Sequence, residues 1–326
     1  MRLHPLQIGA YLVIVAAGMK IAAPILNIIL LAVLLAISIM PVILWFMKKG
    51  VPKALTLIIT ITLLILVTLS IASILSVAVA GLADKIPQYK DQLVSLRDGT
   101  VEFLAGFGIN VSDLLSGQEI KPDKIMAIAS DFLAGIITTF SNFSLVFLLI
   151  IFLLIDITDL RYKQHQSGKN LTLMQEKTTE LATEIRKYVS ISAFTGLLTA
   201  IGNLILLLVM GVDFPVLWAF LSFLFSFIPN IGFILSVIPP AFIALGDSGL
   251  TAAIIVIVGF IIINGIVENV IKPKYMGGEL DMSLFVIFLS LVVWTWILGA
   301  MGAILAIPLT ISFMKAWQIL FTSESA

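Results

Sequence analysis

Charged residues divide this chain into apolar runs, and the runs predict helices. Pro5 to Met19 is short; Lys20 interrupts it and Pro24 follows. A lysine at the end of such a run can snorkel to an interface, so the first crossing is predicted to end near Ala23. Ile25 to Trp45 is a second crossing. Ala54 to Ala83 is a third, long enough that it must tilt or project beyond a bilayer. Phe132 to Ile155 is the fourth, Tyr188 to Val212 the fifth and Ser248 to Ile271 the sixth.

Two runs do not fit this scheme. Phe214 to Gly246 carries no charge, and neither does Met282 to Met314. One straight helix over 214–246 would be about 50 Å long at ~1.5 Å per residue. A hydrocarbon core is about 30 Å thick and takes about 20 residues per crossing. Each run is therefore too long for one crossing and too short for two. The first breaks at Pro229, Asn230 and Gly232, where proline removes a helix hydrogen bond. The second breaks at Leu298-Gly299-Ala300-Met301-Gly302. Each is predicted to be a helical hairpin with its tip inside the membrane, with two short true crossings as the alternative. Backbone breaks at membrane depth are tolerated only under protein cover or beside a wet cavity, and interrupted segments point to transport sites.

The polar segments orient these elements. Lys48, Lys49 and Lys53 follow the second run, and lysine clusters beside a span favour the cytoplasm. The N-terminus is then inside and residue 84 outside. Asp84 to Asp131 holds eight acidic and five basic residues, a net of −3. Its apolar residues Ile86, Leu93, Leu96, Phe103, Leu104 and Phe107 recur at helical spacing, while GFGINVSD and SGQEIKPD read as turns. It is predicted to be a small external helical cap. The loop 156–187 carries Arg161, Lys163, Lys169, Lys177, Arg186 and Lys187 and is placed inside. There Leu171, Met174, Thr178, Leu181, Ile185 and Tyr188 form a heptad-like seam. The seam packs either on its own protomer or between subunits. Parity then puts the hairpins on opposite faces, like the inverted repeats of secondary transporters.

The expected fold is an all-α integral membrane protein with six full crossings, two opposed re-entrant hairpins and a small external cap. Its segments are 1–83 (N-terminal membrane helices), 84–131 (cap), 132–155 (membrane helix), 156–187 (cytoplasmic amphipathic helix) and 188–326 (core holding both hairpins, 214–246 and 282–314). Both termini are expected in the cytoplasm.

Composition supports this class. Hydrophobic residues make up 60% and charged residues 12%, against about 25% charged in soluble domains. A net charge of zero gives no sign of nucleic-acid binding. Without cysteine there is no disulfide or thiol chemistry. His4 and His165 form no metal-like cluster, and no cofactor is implied. The chain has no GxxxxGK[ST] phosphate loop, so ATP hydrolysis by that route is excluded. The first run has no cleavage pattern and reads as a retained helix.

The candidate chemistry sits at the breaks and beside them. A tip at Pro229, Asn230 and Gly232 offers free amides and carbonyls, and Asn230 adds a side-chain donor and acceptor. The same residues also suit a tight structural turn. Pro239-Pro240 is either a hinge or a fixed kink. Ser192, Gly196, Thr199 and Asn203 share one helical face, either for close packing or to line a polar path. On the sixth run, Asn264 and Glu268 are i,i+4, with Asn269 and Lys272 following. Glu268 is either an interfacial acid paired with Lys272 or a coupling and gating group. Trp294 and Trp296 read first as packing, with a solute box as the alternative.

In this order, PVILWFMKKGVPKAL, LADKIPQYKDQL, FIPNIGFILSVIPP, IVENVIKPKYMG and LFVIFLSLVVWTWILGAMGAILAIPLT resemble the AI-2E family, the autoinducer-2 exporter-like group. The resemblance covers essentially the whole chain and is most specific in its C-terminal half. It departs at Lys272, where members often carry Glu before the proline; Glu268 is the acid nearby. The resemblance implies export of a small polar solute such as autoinducer-2, an uncharged polyhydroxylated furanosyl signal of quorum sensing. It implies sodium/proton exchange in some relatives, a homo-oligomer (a pentamer), and the inner (cytoplasmic) membrane of a prokaryote. The leading expectation is a non-enzymatic secondary exporter with its two tips around the solute. Pro229, Asn230, Gly232, Asn203 and Asn264 would bind or pass it, and Gly299 and Gly302 would let the opposing tip approach. A cation/proton antiporter with Glu268 titrating is one rival; an oligomeric channel or scaffold is the other.

Overall fold

The computed structural model describes residues 5–106, 143–167, 173–229, 231–276 and 282–322, and every helix below lies within them. Most of the expected cap, residues 107–131, lies outside the described residues, as do 132–142 of the fourth run and Asn230. The helices are α1 (Pro5–Ile21), α2 (Ala23–Lys48), α3 (Lys53–Gly106), α4 (Phe143–Ser167) and α5 (Leu173–Val209). They continue with α6 (Pro215–Phe225), α7 (Ile231–Ile266), a π-helical turn (Val267–Ile271), α8 (Lys272–Met276), α9 (Leu284–Leu298) and α10 (Ala300–Thr322).

Among the described residues, four stretches are long and apolar enough to cross a membrane: Ala23–Lys48, Lys53–Leu82, Thr179–Val209 and Ile231–Tyr275. Most of their surface is left uncovered by the rest of the chain, with Ile58, Leu66, Leu69, Val77 and Ile262 exposed. Apolar surface on this scale suits lipid, not water. The protein is an integral, multi-pass membrane protein. Shorter apolar helices, Leu145–Ile157, Pro215–Phe225, Phe285–Leu298 and Ala300–Lys315, complete the set.

Local signals explain several ends. At Gly50 (φ 85°), Val51 N–H reaches Phe46 O and Gly50 N–H reaches Met47 O. Gly211 (φ 67°) repeats the pattern with Val212 N–H on Leu207 O and Gly211 N–H on Leu208 O. Both are Schellman stops, which place glycine where a left-handed residue is required. Two expected boundaries carry no break. α3 is 54 residues long and continues past Leu82 to Gly106, about 80 Å of helix in all at ~1.5 Å per residue. α5 joins the amphipathic stretch before Tyr188 to the apolar stretch after it in one helix. Polarity changes along these helices, but no proline-glycine signal ends them there.

Where α3 leaves its apolar stretch, Lys85 pairs with Asp213 and stands over the Phe214 ring. Phe214 holds φ 55°, a left-handed conformation unusual for an aromatic residue, and Pro215 opens α6 behind it. Trp218 Nε1 donates to Asp213 O at 2.9 Å. This corner is therefore held from three sides.

α7 is broken at Gly249 (φ 82°, ψ −175°) into arms 231–248 and 250–266. Pro239 and Pro240 lie within the first arm, and the helix continues through both. The second arm packs on α5 through small residues. A Cβ on Gly202 would lie 2.8 Å from Ile263 Cγ2, and one on Gly259 would lie 2.4 Å from Leu206 Cδ2. Small residues let helices approach closely in membranes. Gly265 has nothing within 4 Å of such a Cβ. Gly259→Ala is thus expected to cost about 1–2 kcal/mol, because the leucine end can shift only partly. Gly265→Ala is expected to be neutral, or to gain up to ~1 kcal/mol of helix propensity. Thermal unfolding in detergent reads both, and equal shifts would refute the packing account.

Candidate functional site

Both uncharged runs fold as two helices joined by a break. In the first, α6 ends at Phe225 and α7 begins at Ile231. Between them Ile228 N–H bonds Phe225 O at 2.8 Å and Ile231 N–H bonds Pro229 O at 2.7 Å. In the second, Gly299 (φ 70°, ψ −151°) alone separates α9 from α10. Trp294 Nε1 then donates across the fold to Thr310 Oγ1 at 3.0 Å.

The two hairpins share a device. A Cβ on Gly232 would fall 1.9 Å from Phe225 O, and one on Gly302 would fall 1.9 Å from Trp294 O. In each case backbone lies against backbone, where no side chain can yield. The atoms crowding Gly302 belong to its own hairpin, not to the other one.

The first break also meets the arms of the second hairpin. Ile228, with Phe225 and Ile231 from the first, packs with Leu291, Trp294, Ala303, Ile304 and Ala306 from the second. The break around Pro229 and Gly232 is therefore brought against the second hairpin, which carries Gly299 and Gly302 at its own break. Met301, at the second break, packs instead on α2, α3 and α4.

A polar face of α5 borders the first hairpin. Ser192, Thr195, Thr199 and Asn203 are buried, with Asn203 at 1% and Thr199 at 4% exposure. Asn203 Nδ2 donates to Ser222 Oγ at 3.1 Å, and Ser222 Oγ donates to Trp218 O at 2.9 Å. Gly196 lies so close to the turn that a Cβ there would be 2.6 Å from Ser226 Oγ. The stripe thus packs closely. It also leaves Thr199 Oγ1 and Asn203 Oδ1 buried without hydrogen-bond partners. Each such atom costs about 1–3 kcal/mol in a dry interior, so this face is built at a stability cost.

The remaining predicted residues form a second group. Glu268 and Asn269 lie in the π-helical turn, and Lys272 follows it. Such turns are rare and recur at functional sites. Lys272 Nζ binds both carboxylate oxygens of Glu268, at 2.7 and 3.0 Å. Lys272 is 11% and Glu268 37% exposed. The acid is thus neutralised within its own helix. Asn264 is half-buried one turn earlier, and Asn269 is exposed. Tyr275, beyond the pair, packs edge-on against Phe194 of α5 at 5.1 Å between ring centroids.

Two residues at the breaks were not among those singled out for the site. Tyr188 O–H donates to Phe227 O at 3.1 Å, and Asn27 Nδ2 donates to Leu298 O at 3.0 Å. Asn27 is the lone amide in the run Ile25 to Trp45, a signal open to inspection. Tyr188 reads instead as part of the heptad-like seam. The described end of that seam packs on the chain itself, with Ile185 and Tyr188 buried against Leu34, Leu305 and Ile311. Leu171 lies outside the described residues, and so do the side chains of Met174 and Thr178. Of the tryptophans, Trp294 braces its own hairpin, while Lys20 of α1 covers the Trp296 ring at 4.3 Å.

Comparison with known proteins agrees with this architecture. Residues 10–321 match the family described as AI-2E family transporter. The "AI-2 transport protein TqsA" of Escherichia coli K12 is 30% identical over 306 residues, 92% of this chain and 87% of that protein. A Haemophilus influenzae protein described as "Putative transport protein" is 32% identical over 327 residues, 98% of this chain and 93% of its own length. The E. coli K12 protein described as "Putative transport protein YhhT" is 27% identical over 316 residues, 97% of this chain and 90% of that one. With two broken helix pairs meeting beside a buried polar face, and a match that runs nearly end to end, the chain belongs to the AI-2E transporter family.

Proposed function

We propose that this protein is an ATP-independent secondary exporter of a small, uncharged, polyhydroxylated solute of the autoinducer-2 class. The observation that carries the reading is the packing of the first break against the arms of the second hairpin, next to Tyr188 of α5. Broken helices near mid-membrane are the usual site of binding in secondary transporters. In this reading the chain makes six crossings in a prokaryotic inner membrane. The hairpins enter from opposite leaflets, and both termini are cytoplasmic. Pro229, Asn230 and Gly232 offer the solute backbone and amide groups. Asn203 and Thr199 supply acceptors that are otherwise unmet. Alternating access follows when hairpin and core move apart on one face and close on the other. The relative described as an AI-2 transport protein makes this solute class the first to test. The ion pair of Glu268 with Lys272 favours this reading over proton exchange through a free acid.

Purified protein in liposomes loaded with an autoinducer-2-type furanosyl solute is expected to release it without nucleotide. Asn230→Ala is expected to slow release about tenfold, the value of one to two hydrogen bonds, while membrane insertion is unchanged. Wild-type release from a well-inserted Asn230→Ala protein would overturn the assignment of that residue. Proton movement driven by a sodium gradient, with no solute release, would select the antiporter instead.

A further inference from the structure

Resting on the export reading above, we propose that Tyr188 and Asn27 are positioning residues. Each holds one helix break through a main-chain carbonyl there, and the solute's hydroxyls displace them during transport. The chemistry starts from the breaks. Where a helix stops, its last carbonyls lose the N–H groups that would have met them. Leu298 O is such a carbonyl, on the last residue of α9, and Phe227 O lies in the turn just past the end of α6. Each receives a side-chain donor from a different helix: Tyr188 of α5 at 3.1 Å and Asn27 of α2 at 3.0 Å. The same solution thus occurs twice, at breaks whose flanks pack together.

Both donors are neutral, and this decides what they can do. A charged donor on a buried carbonyl would be hard to remove. A neutral hydrogen bond is worth little net when a comparable bond replaces it. A solute hydroxyl is such a replacement. Tyr188 is 3% exposed and fixed among Leu34, Val189, Leu305 and Ile311, so its hydroxyl is a preset partner. Asn27 can present only its N–H₂ end to a carbonyl. Its Oδ1 is consequently turned away, buried and unpartnered. A hydroxyl that enters at the second break can donate to that oxygen, or to Leu298 O once the amide leaves. These two side chains would then select for solutes with several hydroxyl donors and against apolar ones.

The chain has no cysteine, so Ile231→Cys and Ala300→Cys each report one break without background. Labelling by a membrane-permeant thiol reagent is compared with and without Tyr188→Phe or Asn27→Leu. Tyr188→Phe keeps the ring and removes one hydroxyl. It is expected to speed labelling at 231 roughly fivefold, the value of one hydrogen bond, and to leave 300 unchanged. Asn27→Leu is expected to do the converse; if it fails to insert, Asn27→Ala takes its place. Unchanged labelling, or equal acceleration at both positions, would overturn the proposal, the latter meaning general loosening. These measurements need no solute, so they stand apart from any failure of the export reading. In transport, Tyr188→Phe is expected to change the half-saturating solute concentration more than the maximal rate. An equal fall in maximal rate alone would mark a structural brace and overturn displacement.

Discussion

Gly302→Ala is expected to leave little correctly folded protein. The added methyl would sit 1.9 Å from Trp294 O and 3.0 Å from Leu298 Cβ. The first of these is backbone, fixed by α9, and cannot rotate away. Relief requires opening the hairpin, which breaks the Trp294–Thr310 hydrogen bond and parts the cluster around Leu291 and Ala306. Overpacking a core commonly costs about 1–3 kcal/mol, occasionally more, and a clash against fixed backbone belongs at the upper end. Gly232→Ala meets the same obstacle, with Phe225 O at 1.9 Å and Phe225 C at 2.7 Å. Both variants are expected to lose most of the monodisperse peak on size exclusion in detergent, and export with it. Gly265→Ala, which meets nothing within 4 Å, serves as the matched control. If Gly302→Ala elutes and melts like the parent, the hairpins do not pack as described.

What could be read from the sequence follows from how local each signal is. The breaks at 229–232 and 298–302 were legible because proline, glycine and run length act within a few residues. The apolar spans were legible for the same reason, since burial in lipid depends on each residue's own chemistry. The pairing of Glu268 with Lys272 was also within reach, being an i,i+4 contact. The continuity of α3 past Leu82 and of α5 through Tyr188 was not legible. There polarity changes while helix propensity does not, and only the first shows in a hydrophobic pattern. The crowding at Gly302 comes from its own hairpin, although glycine near a break reads equally well as room for a partner. Asn27 meets Leu298 and Tyr188 meets Phe227 only after the chain has folded. No spacing rule spans such separations. The structure therefore adds the tertiary half of the site: which donors answer the breaks, and which polar atoms are left over.

Those leftover atoms set the second large effect, a separation of stability from transport at Asn203. Asn203→Leu removes an amide whose Oδ1 has no partner and whose Nδ2 has one. Ser222 Oγ keeps its own bond to Trp218 O, so the change creates no new orphan donor. Replacing a half-satisfied buried amide by an apolar group of similar size is nearly neutral or stabilising, within about 1 kcal/mol. The unfolding temperature is therefore expected to hold or rise. On the proposed reading export is expected to fall at least tenfold, because an unpartnered oxygen that the solute would meet is gone, along with one to two hydrogen bonds to the solute. Most damaging substitutions in a buried position lower both quantities together. A residue that raises stability when removed, yet is needed for turnover, is kept for function. Unfolding curves and solute release from the same preparation decide the matter. Retained export with retained stability would assign Asn203 to helix packing alone and move the solute path away from this face of α5.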